Sequence, residues 1–245
     1  MPRVLGFEST MTQTSVRESL LRIEERIASA VARGGRRARQ ITLIGVSKTH
    51  PANTIREAYE AGVRHFGENR IQEWEGKRAG TEGLLAATWH LIGHLQSNKT
   101  ARAARLFDSI DSVDDFAIAQ RLDRARADAG INGKLRVLIE VRIAPEETKS
   151  GVEINELPAL AERVADLPRL ELAGLMCIPP FLEEAERVRP YFKRLRDLRD
   201  ELTRKMGSAL PVLSMGMSHD FEVAIEEGAT EVRVGTALFG AREIK

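Results

Sequence analysis

Cysteine is almost missing from this chain: Cys177 is the single copy in 245 residues. One thiol cannot close an intrachain disulfide, and its surroundings, Leu172-Ala-Gly-Leu-Met-Cys-Ile178, read as a buried strand, so Cys177 is assigned to the core. An excess of either charge is missing too. Lys and Arg total 37 against 36 for Asp and Glu, a balance that offers no long-range attraction to a polyanion. Nucleic acid and an acidic membrane are therefore not expected partners. No stretch is apolar for long enough to span a bilayer, and the opening MPRVLGFEST lacks the charged head and apolar middle of a signal peptide. The expected compartment is the cytoplasm. No G-x-G-x-x-G follows an apolar run, which removes the usual dinucleotide fingerprint of a doubly wound sheet.

What is present is a regular alternation. Eight short apolar runs rich in branched residues read as strands: Ile41 to Val46, Arg64 to Gly67, Trp89 to Gly93, Phe107 to Val113, Arg136 to Ile143, Leu170 to Ile178, Val212 to Met217 and Glu231 to Val234. Between them, Pro51 to Ala61, Asp114 to Ala129, Glu156 to Leu167, Glu183 to Met206 and Asp220 to Glu227 repeat their apolar residues three or four apart, as helices do. Gly62, Gly130 and Gly228 each follow such a segment where a left-handed C-cap is needed, and Pro51 stands at a helix start. Repeated βα units in a chain of this length predict a single (β/α)8 TIM-type barrel rather than an open sheet.

One further helix, from Ser15 to about Ala32, precedes the first strand, opened by the capping-box spacing Ser15-Val-Arg-Glu18. Residues 1–14 lack periodicity and are expected to form a disordered extension, with Met11 as a candidate start, so the barrel is assigned to 15–245. The basic run from Arg33 to Arg39 is broken by two glycines and reads as a solvated helix end.

In a parallel barrel the carboxyl ends of the strands carry the active site. Those ends hold Ser47-Lys48-Thr49, Glu68-Asn69-Arg70, His94 to Lys99, Thr148-Lys149-Ser150-Gly151, Ser218-His219-Asp220 and Gly235-Thr236. Lys48 directly follows an apolar strand, which would desolvate its stem and favour the neutral amine that attacks carbonyls; a solvent-facing charge is the alternative. Ser218 with Gly235 and Thr236 could cradle a phosphate after strands seven and eight, and simple capping of the next helix by Ser218 is the alternative there. Together an amine and a phosphate cradle ask for a phosphorylated carbonyl compound. His90 and His94, four apart, span a strand and a turn rather than a helix, so no metal site is expected, and His90 is read as packing inside the barrel or bonding near a ligand.

The motifs Val46-Ser-Lys-Thr49, Phe66-Gly-Glu-Asn69, Trp89 to Lys99, Lys149-Ser-Gly151, Gly174-Leu-Met176, Leu213 to Ser218 and Val232 to Gly240 resemble, in order, those of the pyridoxal phosphate homeostasis (YggS/PROSC-like) family. The resemblance runs from about Ser15 to the C-terminus and implies the barrel half of the alanine racemase fold, with pyridoxal 5′-phosphate as its cofactor. It implies a Schiff base on Lys48, a phosphate cradle of Ser218, Gly235 and Thr236, Arg233 as partner of the pyridine nitrogen and Asn69 as a polar neighbour. Lys149 matches a second family lysine, read either as handling cofactor in transfer or as a salt-bridged surface residue. Arg142, where the family usually has Asn, and His94, at a variable position, are departures.

An arginine cannot accept a proton from the ring nitrogen, which weakens the cofactor as an electron sink. Two-base racemisation also needs a second acid or base, a tyrosine from a further domain in full-length racemases, whereas Tyr59 and Tyr191 fall in predicted outer helices. The expected role is therefore buffering or delivery of pyridoxal phosphate, with apo-forms of dependent enzymes as partners and a monomer as the expected state. A fold-type III racemase and a Schiff-base aldolase are the alternatives.

Overall fold

The computed structural model describes residues 15–36, 41–144 and 150–240; the expected extension at 1–14 lies outside them, as does Lys149. Eight parallel strands close into a barrel in chain order: β1 Thr42–Val46, β2 His65–Glu68, β3 Thr88–Leu91, β4 Ser109–Val113, β5 Leu135–Glu140, β6 Leu170–Met176, β7 Val212–Met217 and β8 Glu231–Val234. Pairing of β1 with β8, through Ile44 opposite Arg233, closes the ring. The helices are α1 Val16–Arg33, α2 Ala52–Ala61, α3 Ile71–Arg78, α4 Thr100–Leu106, α5 Phe116–Asp128, α6 Leu157–Ala165, α7 Arg189–Met206, α8 Phe221–Glu226 and α9 Thr236–Phe239.

The capping box at Ser15 forms as its spacing predicts: Glu18 N–H donates to Ser15 Oγ and Ser15 N–H to Glu18 Oε2, both at 3.2 Å. Helix α1 then buries Leu20, Ile23, Ile27, Ala30 and Val31, a stripe of helical period. It packs on α2, α8 and α9. This placement has a physical reason, because α9 is a single turn and is too short to cover the seam between β8 and β1. Arg33 and Arg36, read from sequence as part of a solvated end, instead fasten α1: Arg33 pairs with Glu226 at 2.5 Å, and Arg36 donates to the carbonyls of Ile225 and Ala229.

Gly62, Gly130 and Gly228 all hold positive φ, as expected of them. The long segment from Glu183 is not one helix. A short tight turn covers Ala185–Val188, and α7 starts at Arg189, where Pro190 sits in the first turn, the place in a helix that tolerates a missing N–H.

Side-chain alternation divides the barrel interior into layers. On β5, Val137 and Ile139 join the core between sheet and helices, while Arg136, Leu138 and Glu140 face inward. The middle layer includes Leu138, Ala173 and Met176. Below it, at the strand starts, lies a polar floor. Arg136 donates to Ser109 Oγ and to Glu231 Oε1, Ser109 Oγ donates to Asp111, and Asp111 Oδ2 meets His90 Nδ1 at 2.9 Å. His90 Nε2 in turn lies 3.0 Å from His65 Nδ1. His90 therefore packs inside the barrel, at the end opposite the strand C-termini.

Candidate functional site

At the carboxyl rim, Ser47 N–H still donates to Gly67 O at 3.1 Å, so the β1–β2 ladder outlasts the strand by one residue. Ser47 Oγ donates to Glu68 Oε1 at 2.7 Å, and the half-buried Lys48 opens the turn that follows. The turn then passes through Thr49, the one non-glycine residue with positive φ among the described residues, at 67°. Helix α2 follows, with Pro51 as its N-cap rather than its first residue.

Across the β8–β1 seam, Ser218 does not cap α8. The N-cap of that helix is Asp220, whose Oδ1 accepts Met217 N–H at 2.6 Å, and the capping alternative is thereby corrected. Ser218 Oγ instead accepts the backbone N–H of Gly235 at 3.2 Å and of Ala237 at 3.3 Å. Two backbone donors from the turn after β8 thus converge on one oxygen. Thr236, between them, is exposed.

Arg233 is buried near the inward end of β8, at 4 % exposure. Its guanidinium donates to Ser214 Oγ and to the carbonyl of Cys177, both at 2.8 Å, which fixes the plane and leaves further N–H donors for a ligand. Cys177 is buried as expected, with its thiol pushed up to about 12 by burial. Its carbonyl has the added duty of holding Arg233. Asn69, at the exit of β2, is half-buried, and its backbone is packed by Gly93: a Cβ there would lie 2.4 Å from the Asn69 carbonyl oxygen. Only glycine permits that approach.

Glu140, and the joining of Glu68 to Glu73 and Lys77, escaped the reading of the sequence. Glu140 ends β5 on the inward face; Ser150 Oγ donates to its Oε1 at 2.9 Å, and its Oε2 is buried with no hydrogen-bond partner among the described residues. Burial raises its carboxyl above the ordinary range, and the Asp114 charge adds to this. Glu68, Glu73 and Lys77 are gathered outside the turn that carries Lys48. Period-two counting from Arg136 would have pointed to Glu140, whereas nothing in the sequence joins Lys77 to Ser47.

The departures lie away from this mouth or at its edge. Arg142 pairs with Glu153 at 2.5 Å, and the exposed His94 lies 3.4 Å from Asp114. His90, Asp111 and Glu231 in the floor are of types that ligate metals. The Arg136 guanidinium already pairs with Glu231 at 2.5 Å, so a permanent cation balances this group.

Residues 23–243 match the family described as alanine racemase, N-terminal domain. A relative from Aquifex aeolicus, named pyridoxal phosphate homeostasis protein, is 49% identical over 226 residues, covering 92% of this chain and 98% of its own. The chain belongs to the pyridoxal phosphate homeostasis protein family. The solved structure of PipY, the COG0325 family member of Synechococcus elongatus PCC7942, with PLP bound is 42% identical with a TM-score of 0.79, and the match covers 89% of this chain and 100% of that one. An alanine racemase of Clostridium difficile 630 shares the fold at TM-score 0.70 and 14% identity, and this chain covers 58% of it.

The residues present fit the family's cofactor by their chemistry. Gly235 and Ala237 N–H converge on one oxygen as backbone donors do around a phosphate, the fixed Arg233 has N–H groups suited to a ring nitrogen, and Lys48 brings an amine in the turn after β1. Among the described residues, no helix is long and apolar enough to cross a membrane.

Proposed function

We propose that this chain binds pyridoxal 5′-phosphate in the barrel mouth and serves to buffer or deliver it. The observation that carries the reading is the convergence of Gly235 and Ala237 N–H on Ser218 Oγ, one strand away from the turn of Lys48. When bound, the cofactor supplies an aldehyde. Lys48 holds that aldehyde carbon through its amine; Ser218, Gly235 and Thr236 hold the phosphate. Arg233, which can only donate, holds the ring nitrogen as an acceptor, and Asn69 lines the β2 exit. Lys149 is assigned to handing cofactor in or out. The protein works as a monomer in the cytoplasm, with apo-forms of dependent enzymes as recipients.

Buffering is favoured over racemisation by the placement of the two tyrosines. Tyr59 lies on α2, its hydroxyl accepting Ala86 N–H at 3.2 Å, and Tyr191 lies on α7, so both belong to the outer ring of helices. Neither serves as a base in the mouth. The test has two arms. Purified protein given pyridoxal phosphate should develop a visible absorption band that survives desalting and shifts on adding borohydride. With L-alanine in heavy water it should show no α-hydrogen exchange at enzymic rates. Absence of the band overturns binding, and steady exchange overturns the carrier role.

A further inference from the structure

The two residues that flank Lys48 are fastened by one partly buried charge cluster. Lys77, on α3, has a side chain only 11% exposed, and its ammonium donates to the Ser47 carbonyl at 2.9 Å. It also donates to Glu68 Oε1 and Oε2 at 3.1 and 3.2 Å and to Glu73 Oε1 at 2.6 Å. Glu73 Oε1 accepts the backbone N–H of Thr49 as well. On the other flank, Ser47 Oγ donates to the fully buried Glu68. One ammonium therefore reaches the carbonyl before Lys48 directly and the N–H after it through a single carboxylate.

An ion pair that merely docked α3 on the barrel would need Glu68 on β2 but neither of these backbone groups, and Glu73, four residues before Lys77 on α3 itself, would add nothing to it. Thr49 shows why they matter. A non-glycine residue in the left-handed region is strained and persists where its surroundings over-determine it. The surroundings here are Glu73 on the Thr49 N–H and Lys77 on the Ser47 carbonyl. Electrostatics act differently on the two carboxyls: burial raises Glu68 against the pull of Lys77, while Glu73 goes the other way. Burial alone would raise the Glu73 carboxyl, but the bonds from Lys77 and Thr49 outweigh it and keep the group below its ordinary value, hence ionised.

We propose that Lys77, through Glu68 and Glu73, is a positioning residue for Lys48, fixing the backbone on both sides so that the amine is held in line with the aldehyde carbon of a bound ligand. This rests on the reading of Lys48 given above. The reaction it serves forms a C=N bond: the Lys48 nitrogen bonds to the aldehyde carbon, and the aldehyde oxygen departs as water with two hydrogens from the amine. Borohydride then adds hydride to that carbon, and the nitrogen takes a proton from water. A misplacement of about 1 Å in such an approach slows it by up to roughly a hundredfold.

The test compares wild type with Lys77→Met, Glu73→Gln and Arg189→Ala. Each is mixed with pyridoxal phosphate well below its own Tm, quenched with borohydride over time and mapped by mass for label on Lys48. Arg189 pairs with Glu186, Glu226 and Glu227 on the outer helices, so its loss lowers Tm away from the turn. Lys77→Met is expected to label Lys48 roughly ten- to a hundredfold more slowly, and Arg189→Ala at the wild-type rate. If Lys77→Met does not fold, Glu73→Gln carries the test, with slower labelling expected. Equal rates in the cluster variants and wild type, or equal slowing in Arg189→Ala, overturn the proposal. Label present on Lys48 but indifferent to Lys77 and Glu73 brings down this proposal alone. Label absent from wild-type Lys48 brings down the earlier reading and this one with it.

Discussion

Ser218 Oγ accepts the backbone N–H of Gly235 at 3.2 Å, so the exit of β7 is tied to the exit of β8 by a side chain that meets the N-terminus of α9 rather than that of α8. The same oxygen takes Ala237 N–H. Ser218→Ala leaves both donors without that acceptor. It should lower the stability of the cofactor-free protein by about 1 kcal/mol and weaken pyridoxal phosphate binding by roughly tenfold, since each such bond contributes about that much. Thermal melts and equilibrium dialysis check the two numbers. A variant with unchanged affinity would remove Ser218 from the cradle.

Glu140 gives a pH prediction with a definite sign. Its carboxyl is raised in the fold, so the native state holds its proton more tightly than the unfolded chain does. The stability this contributes is present below the unfolded value of about 4.5 and is lost as pH rises through the raised native value. Glu140→Gln keeps the shape and cannot ionise. Relative to wild type it should gain stability on going from acid to neutral pH, read as Tm against pH; parallel curves would contradict this.

His65 acts in the opposite direction. Burial, then the neighbouring charges of His90 and Arg136, lower it from 6.5 to about 4. The native ring therefore stays neutral where the unfolded one takes up a proton. Its contribution is complete above about 6.5 and is lost as pH falls toward 4. NMR titration should show the His65 ring shifting only near pH 4, and His65→Gln should flatten the decline in Tm over that window. A titration near 6.5 would contradict the account.

Much of the frame is legible in the residues because period and punctuation agree. Seven of the eight strands lie within a residue or two of the apolar runs, β5 stops three residues before the end of its run, and Gly62, Gly130 and Gly228 mark real helix ends. Helices α3 and α4 fell outside the segments marked by periodicity for a physical reason. Helix α3 buries only Ile71 and Trp74, and α4 only Thr100, Ala103 and Ala104, too little for a stripe to show. Strand ends named the rim residues Lys48, Asn69, Ser218 and Gly235, since topology alone places them. What stayed hidden depends on contacts between distant elements: Arg233 held by Ser214 and Cys177, and Lys77 reaching Ser47 across thirty positions. The role of Ser218 was ambiguous because helix capping and a phosphate cradle call for the same residue type.

The central claim is that Lys48 holds the cofactor, and mass mapping addresses it most directly. Protein loaded with pyridoxal phosphate is reduced with borohydride, digested and sequenced by mass spectrometry, beside Lys48→Ala treated in the same way. A pyridoxyl group confined to the Lys48 peptide, with none retained in the variant, is the predicted result. A pyridoxyl group on another lysine in the wild type, or equal labelling of Lys48→Ala, would contradict the account.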